Sequence, residues 1–236
     1  MNKIVIANWK NHPETLKEAK ELFEFEVAEA SKYEGVKTVI CPPEQFLKPL
    51  LRINAEFVGA QDVFWNLGDD NYVIKYALVG HSDRRQAGDT DEKINDKLKV
   101  ALASGAVPFL LVGEKEKGDN RQEILERQLF GATTNLMTSQ VVNIVIVYEP
   151  VWAISTNPDS EPDKPENTLE AYKIINNFLF KNYSLEPKAI FYGGSVNQSN
   201  VADFLKHPEI NGAVIGGASL RKEEFGEILK IVSGLK

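Results

Sequence analysis

Short β-branched runs alternate with longer amphipathic stretches along the whole sequence. A strand, a helix and another strand in succession predict parallel strands joined by helical crossovers. About eight such runs occur, which is the number that a closed parallel barrel requires. The predicted strands are residues 3–8, 37–41, 55–60, 76–80, 107–112, 143–148, 189–192 and 212–215.

The amphipathic stretches between these runs predict the helices. The predicted strands are almost continuously apolar, as in IVIA, TVIC and VIVIVY, which is typical of a sheet covered on both faces. Periodicity alone is equally compatible with a doubly wound open sheet. No linker or change of composition divides the chain, so we expect one domain over residues 1–236. The clearest predicted helices are residues 13–30, 90–104, 121–136, 166–183 and 222–233.

The charge balance limits the partners of the chain. The formal net charge is −7 at pH 7. Because no dense stripe of Lys and Arg offsets it, we expect neither nucleic acid nor a membrane as a partner. The same charge disfavours anionic metabolites, so a phosphate site would need backbone N–H groups and one or two lysines placed locally.

The cysteine content and the length of the apolar runs indicate the cellular compartment of the protein. The single cysteine, Cys41, excludes an intrachain disulfide, and the first residues lack the layout of a signal peptide. Runs such as 107–112 and 144–147 are far shorter than the roughly 18 residues that cross a bilayer. We therefore expect a cytoplasmic protein.

Polar or glycine residues follow most of the predicted strands. In a barrel, the carboxyl ends of all strands converge on one face, where active sites lie, with a phosphate site after the last two strands. Glycine pairs occur at those two positions. This arrangement favours the barrel over the open sheet. The residues in question are Asn8, Lys10, Gln61, His81, Glu114, Glu149, Gly193, Gly194, Ser195, Gly216 and Gly217.

Five sequence blocks resemble signatures of the triosephosphate isomerase family, and they occur in the family's order and spacing. The resemblance covers the chain from Lys3 to near its end. It implies a (β/α)8 barrel that interconverts triose phosphates in glycolysis and gluconeogenesis, with a small phosphorylated triose as substrate and neither a metal nor an organic cofactor. The blocks are residues 8–10 (NWK), 80–85 (GHSDRR), 148–154 (YEPVWAI), 192–196 (YGGSV) and 216–220 (GGASL).

Two side chains are candidates for proton transfer. Glu149 directly follows an apolar run and precedes Pro150, so partial burial would raise its proton affinity and suit it as the base. Position alone would favour a carboxylate in an ion pair or a helix cap, and the block at residues 148–154 reverses that preference. His81 precedes a short predicted helical turn whose N–H groups disfavour a charged ring, which suits a neutral electrophile. His12 and His207 lie outside the blocks and are predicted to be structural.

Other residues are candidates for stabilising negative charge and for binding a phosphate group. Lys10 would supply a fixed positive charge, and Asn8 would orient the same substrate oxygens. The resemblance implies that Ser155, Ser195, Gly216 and Gly217 contact the phosphate. Taken alone, the glycines also fit two tight turns that lead into helices.

The resemblance also implies a mobile lid over residues 150–160. Trp152 and Ile154 would form its apolar tip and exclude water. The resemblance further implies that Tyr192 and Ser195 hold the closed lid and that Glu114 lies near the Trp152 hinge. Supporting roles fall to four side chains near the lid and the catalytic pair, and further supporting networks to Gln61 and Arg85. The four are Asp83, Glu114, Trp152 and Tyr192.

Several residues depart from the family pattern. Ser155 and Asn157 replace lid glycines, which narrows the allowed backbone, and Pro158 biases Asn157 towards extended geometry. Pro162 and two neighbouring prolines stiffen the segment further. Asp83 replaces Glu, which shortens its reach towards Lys10 and His81. Leu111 replaces a common Cys, a change of packing only.

The connection between Gln61 and His81 is roughly ten residues shorter than in the family. In the family this loop reaches the neighbouring subunit. Here residues 62–71 remain, and Phe64 and Trp65 would pack locally or form a smaller interface. We therefore expect a homodimer with a reduced interface or a monomer.

Two other functions compete with this interpretation. Another sugar-phosphate isomerase or an aldolase would use a similar barrel, but an aldolase needs a Schiff-base lysine inside the barrel, and none of the predicted strands has a lysine in its middle facing an obvious site. A non-catalytic phosphate-binding barrel would fit the altered lid. Such a protein would have no reason to keep Lys10, His81 and Glu149 together.

Overall fold

A computed structural model describes residues 3–63, 74–186 and 188–235. Its strands are β1 Lys3–Asn8, β2 Val36–Cys41, β3 Tyr76–Val79, β4 Val107–Val112, β5 Val145–Tyr148, β6 Ile190–Tyr192 and β7 Ile210–Ile215. In the described residues these seven strands pair in parallel in the order β2-β1-β7-β6-β5-β4-β3. The (β/α)8 barrel prediction is confirmed.

The predicted strand at residues 55–60 is wrong as a regular strand. Helix-end turns occupy its first half, because Phe57 N–H donates to Asn54 O. Its second half nevertheless closes the barrel. Gly59 N–H donates to Ile40 O at 2.8 Å on the β2 side, and Ala60 N–H donates to Tyr76 O at 2.9 Å on the β3 side. The segment therefore takes the place of an eighth strand through single bridges.

Helices cover the outside of the barrel. The helices are α1 Leu16–Ala30, α2 Glu44–Asn54, α3 Ser82–Gln86, α4 Asp91–Ala103, α5 Arg121–Thr133, α6 Thr138–Val141, α7 Pro165–Tyr183, α8 Val201–Leu205 and α9 Lys222–Ser233. Thr15 caps α1 with a reciprocal bond to Glu18, so this helix starts three residues later than the predicted start at residue 13. Helices α2, α3, α6 and α8 lie outside the five helices named from the sequence.

The barrel interior is a small apolar cluster separate from the larger layer between strands and helices. Phe109 and Phe191 pack within it with ring centroids 5.3 Å apart. Leu111 is fully buried there, in line with its predicted role in packing. A filled interior leaves the strand ends as the place where a ligand can bind.

One strand starts two residues later than the sequence predicts. The strand predicted at 143–148 begins at Val145, after the turn that follows α6. Phe64 and Trp65 lie outside the described residues. Within the part of the chain that the structure describes, no helix has the length and apolar character needed to cross a membrane.

A carboxyl group is buried next to the catalytic-face loop that follows β1. The Trp9 indole Nε1 donates to both oxygens of Glu26, at 3.0 and 3.2 Å, and both side chains are fully buried. Burial raises the pKa of Glu26 well above its usual range, and the bond from Trp9 only partly offsets this effect. Folding therefore favours the protonated form of Glu26.

The first prediction follows from this shift. A carboxyl whose pKa is raised on folding contributes stability at low pH that is lost as pH rises towards the folded pKa. Between pH 5 and 8, we expect the wild type to lose about 1 kcal/mol or more of unfolding free energy relative to Glu26→Gln. Urea unfolding at several pH values measures this loss. A destabilisation by the amide that is the same at every pH does not alter how the unfolding free energy changes with pH. Equal changes of unfolding free energy with pH in the two proteins would therefore contradict the prediction.

Candidate active site

The carboxyl ends of the strands surround a cavity of about 280 Å³. Sequence-predicted residues from distant parts of the chain meet at its walls. Glu149 lies behind the wall formed by His81 and is only 3% exposed. The lining includes Asn8, Lys10, His81, Ser155, Ser195, Gly216 and Gly217, together with Ile154 and Arg221.

His81 is positioned by the first turn of α3. Its Nδ1 accepts the N–H of Asp83 at 3.1 Å, so this ring nitrogen carries no proton. The neutral ring then carries its proton on Nε2, which lies on the Glu149 side. The short helical turn predicted at residues 82–85 is confirmed as α3. The arrangement leaves His81 as a neutral donor, as an electrophile requires.

Glu149 directly follows β5 and is held between α3 and His81. Its Oε2 accepts the Ser82 N–H at 2.8 Å. Its Oε1 lies 3.0 Å from His81 Nε2, but among the described residues no donor is aligned to form a hydrogen bond with it. A buried carboxylate oxygen without a hydrogen bond is a strong proton acceptor.

The second prediction concerns the pH dependence of this carboxyl. Burial raises the pKa of Glu149 above its usual 4.5 and outweighs the opposing effects of His81 and the Ser82 N–H. A base acts in its ionised form, so activity is lost as pH falls through the raised pKa. We expect the acidic limb of the kcat/KM profile above the range of an ordinary glutamate.

The substrate phosphate also titrates, with a second pKa of about 6. Glu149→Asp is therefore the matched control, because it shifts the pKa of the base and leaves the pKa of the phosphate unchanged. An acidic limb that is unchanged in this variant would assign the titration to another group.

Lys10 lies at the cavity in a left-handed backbone conformation, with φ at 52°. Its own N–H donates to Asn8 Oδ1 at 3.1 Å, and Gln61 Nε2 donates to its carbonyl at 2.7 Å. The ammonium lies 3.3 Å from Asp83 Oδ2, so the shorter Asp83 still reaches it. The predicted supporting role of Gln61 corresponds to this contact.

The glycine pairs differ in what they permit. A Cβ placed on Gly216 would meet only Lys10 Cε, at 3.9 Å, so the backbone there faces open space in the cavity. Gly217 is equally open. In contrast, a Cβ on Gly194 would clash with the Tyr192 hydroxyl. Glycine at 216 and 217 therefore leaves room for a ligand, whereas glycine at 194 is required by packing.

The lid segment contacts the barrel through Ser195. The Ser155 N–H donates to Ser195 Oγ at 2.6 Å, so two predicted phosphate donors are bonded to each other here. Neither Ser155 nor Asn157 has a positive φ, and Asn157 joins two consecutive turns. The replacement of both glycines therefore introduces no left-handed strain.

Glu114 lies at the base of the lid and is buried. Its Oε1 accepts bonds from the Tyr148 hydroxyl at 2.7 Å, from Trp152 Nε1 at 3.1 Å and from Arg121 Nε at 3.1 Å. The expectation that Glu114 lies near the Trp152 hinge matches these contacts. Glu114 thus connects β5, the start of the lid segment and α5, and these bonds hold the start of the lid in place.

Tyr192 differs from the expectation that it holds the lid together with Ser195. Its ring stacks on Phe204, with centroids 4.0 Å apart. Its hydroxyl lies beside the Asp163 carboxyl, and burial raises the pKa of both groups. In this conformation Tyr192 thus faces the segment that precedes α7, and Ser195 alone of the two contacts the lid tip.

Three residues at or near the site were missed by sequence reasoning in these roles. The Ser82 N–H binds Glu149, and Ser82 lies inside a recognised block. Arg221 lines the cavity directly after the last block, and Arg121 contacts Glu114. Position inside a block was the available signal for Ser82, and position directly after a block was the signal for Arg221. In residues 3–63, 74–186 and 188–235, no group of three or more His, Cys, Asp or Glu side chains is arranged to hold a metal ion.

Comparison with known proteins agrees with this geometry. The family model described as triosephosphate isomerase matches residues 3–68 and 70–232. The triosephosphate isomerase of Dictyoglomus thermophilum is 38% identical over 97% of this chain and 98% of its own. Those of Dehalococcoides mccartyi strain CBDB1 and Endomicrobium trichonymphae are 35% and 34% identical, each over 96% or more of both chains. This chain belongs to the triosephosphate isomerase family.

Proposed function

We propose that this chain interconverts dihydroxyacetone phosphate and D-glyceraldehyde 3-phosphate, with Glu149 as the base, His81 as the electrophile and Lys10 as the stabilising charge. The observation that carries the assignment is the buried Glu149 Oε1, which accepts no hydrogen bond from the described residues and lies 3.0 Å from Nε2 of the neutral His81 at the wall of the cavity. The reaction serves glycolysis and gluconeogenesis and, in this proposal, uses no cofactor.

The proposed mechanism moves two protons, one between carbons and one between oxygens. The C1–H bond of dihydroxyacetone phosphate breaks, and its proton goes to Glu149 while the electron pair forms the double bond of an enediolate. The negative charge develops on the carbonyl oxygen, which faces His81 and Lys10. Glu149 then returns the proton to C2, and the hydroxyl proton at C1 moves to the C2 oxygen through His81. Glu149 must leave the Ser82 N–H and turn into the cavity to reach C1.

Phosphate binding is assigned to backbone N–H groups at Ser155, Ser195, Gly216 and Gly217, with Asn8 and Lys10 nearby. The open space at the two glycines supports this assignment. Binding must separate Ser155 N–H from Ser195 Oγ, so the lid has to rearrange when the phosphate enters. Trp152 and Glu114 would keep the lid base in place during this step.

The shortened connection bears on the proposed oligomeric state. Asp62 is buried, and it pairs with Arg84 at 2.8 Å and with Lys97 at 2.7 Å. Asp89 pairs with the same two cations. Because Arg84 belongs to α3, this network ties the start of the connection to the helix that positions His81. It supports a site that one chain can complete, so a monomer or a homodimer with a reduced interface would be active.

A steady-state assay of glyceraldehyde 3-phosphate isomerisation across a dilution series, with light scattering on the same samples, tests the function. We expect turnover at every concentration. Binding of a phosphate analogue without any turnover would replace the isomerase by a phosphate-binding barrel. Activity that falls as the mass falls would show that a second subunit organises the site.

The third prediction is that His81→Gln lowers kcat about 100-fold or more with little change in substrate binding. An amide donates a hydrogen bond but cannot pass a proton between the two substrate oxygens. His207→Gln is the matched control, because His207 lies outside the site, and it should retain full activity. Equal losses of kcat and of substrate affinity would contradict the role of His81.

A further inference from the structure

The charged side chains on the walls of the active-site cavity all have the same sign. Among the described residues that line it, the charged ones are Lys10 and Arg221, and no Asp or Glu side chain lies on its walls. The whole chain, in contrast, carries a net charge of −7. Lys10 is already paired, because its ammonium lies 3.3 Å from Asp83 Oδ2. A phosphate ester with a second pKa of about 6 is mostly a dianion at neutral pH, so Lys10 balances only part of its charge.

Arg221 lies directly beside the open glycine pair. Its Nη1 donates to the Gly217 carbonyl at 3.0 Å, and the same nitrogen would lie 3.9 Å from a Cβ on Gly217. The Glu224 carboxylate contacts Nε and Nη2 of the guanidinium. These contacts use three of its five N–H groups, which leaves two for a ligand. The guanidinium is therefore held in place next to the backbone that faces open space in the cavity.

The stability of helix α9 does not explain an arginine at this position. Arg221 is the N-cap of α9, and its side chain makes no capping bond. Positive charge is unfavourable at a helix N-terminus, where Ser, Thr, Asp and Asn are the preferred N-caps. Because Glu224 stands three residues later, a serine at position 221 would complete a capping box.

The ion pair with Glu224 is a weak structural reason as well. The Arg221 side chain is 61% exposed, and ion pairs of exposed side chains add little stability. A residue that breaks a local rule of helix formation without a matching structural gain is a candidate for a functional role. The position of Arg221 on the cavity wall indicates which role this is.

We propose that Arg221 binds the substrate phosphate and determines the preference of the site for a phosphorylated substrate. The inference rests on the phosphate site of the proposed function and adds a charged side chain to its backbone donors. A phosphate held by the Gly217 N–H lies next to the guanidinium, whose fork of donors matches the geometry of phosphate oxygens. Arg221 and Lys10 together then balance the dianion.

Calorimetric titration with inorganic phosphate tests the contact without turnover. We expect Arg221→Ser to bind phosphate about tenfold or more weakly than the wild type. Its free energy of unfolding in urea should be unchanged or higher, because the serine caps α9. Arg221→Lys keeps the charge without the fork and should lie between the two. Lys222→Ser is the matched control: its ammonium lies over the Phe25 ring, 5.4 Å from the centroid, so its loss should leave phosphate affinity unchanged.

Two substrates distinguish a phosphate contact from a general loss of activity. With glyceraldehyde 3-phosphate, Arg221→Ser should lower kcat/KM about tenfold or more. With unphosphorylated D-glyceraldehyde, its kcat/KM should stay within about twofold of the wild type, because the lost contact is absent from that reaction.

Three results would overturn the inference. They are equal phosphate affinity in the wild type and Arg221→Ser, equal losses of kcat/KM with both substrates, and a wild type that binds no phosphate. The proposed isomerase function fails separately. If the wild type turns over neither substrate while its phosphate affinity still depends on Arg221, the isomerase assignment is wrong and the role of Arg221 in binding phosphate stands.

Discussion

Glu149→Gln is expected to lower kcat about 1,000-fold or more while the protein stays folded, which is the fourth prediction. The amide has the shape of the carboxyl group and can still accept the Ser82 N–H, which is 2.8 Å from Oε2. It cannot accept a proton from carbon. Because the substitution also removes a buried ionisable group whose pKa burial has raised, the free energy of unfolding should not fall with the activity.

Steady-state kinetics and urea unfolding on the same preparation separate the two roles that position alone leaves open for this carboxylate. A structural ion-pair partner would lose stability on substitution and keep its turnover. A catalytic base does the opposite. Glu149→Asp provides a graded control: it keeps the charge but shortens the side chain, and a misplacement of about 1 Å costs about 100-fold. Full turnover in the Gln variant would sink the assignment.

Lys10→Met is the fifth prediction and the second of large effect, with an expected loss of kcat/KM of about 1,000-fold. The loop does not depend on the ammonium group, since Asn8 and Gln61 bond to the backbone of Lys10 at 3.1 and 2.7 Å. Met keeps the apolar stem and removes only the charge. Both the bound phosphate and the developing enediolate lose a counter-charge, so KM should rise and kcat should fall.

Asp83→Asn is the matched control for this change. It removes the ion-pair partner 3.3 Å from the Lys10 ammonium and leaves the ammonium in the cavity. Most of the activity should survive, because the lysine remains free to face the substrate. If Lys10→Met kept kcat/KM within about threefold of the wild type, the charge would have to come from another cation. Arg221 at the cavity wall would then be the next residue to replace.

The pattern of short apolar runs and amphipathic stretches was sufficient to predict parallel strands with helical crossovers. Strand and helix periodicities are local properties, and long elements such as α7 and α9 were found close to their observed bounds. Helix starts were less accurate where a cap intervenes, as at Thr15. The segment at 55–60 could not be read correctly, because its pairing depends on two strands that the local sequence does not contain.

For the site, the sequence blocks were sufficient to name the residues but not their contacts. Asn8 ends β1, and Lys10, His81 and Glu149 each follow a strand, so the barrel brings them to one face. The proton position on His81 depends on the Asp83 N–H, and the placement of the Glu149 carboxyl depends on the Ser82 N–H of α3. Likewise, the bond between Ser155 and Ser195 joins residues 40 positions apart.

The sequence by itself determined the fold class, the order of elements and the identity of the candidate catalytic residues, because these follow from periodicity and from short blocks of neighbouring residues. Only the tertiary structure decided how the barrel closes, how Glu26 is buried under Trp9, and how Asp62 is tied to α3. Each of these depends on contacts between distant residues, and such contacts exist only once the chain has folded.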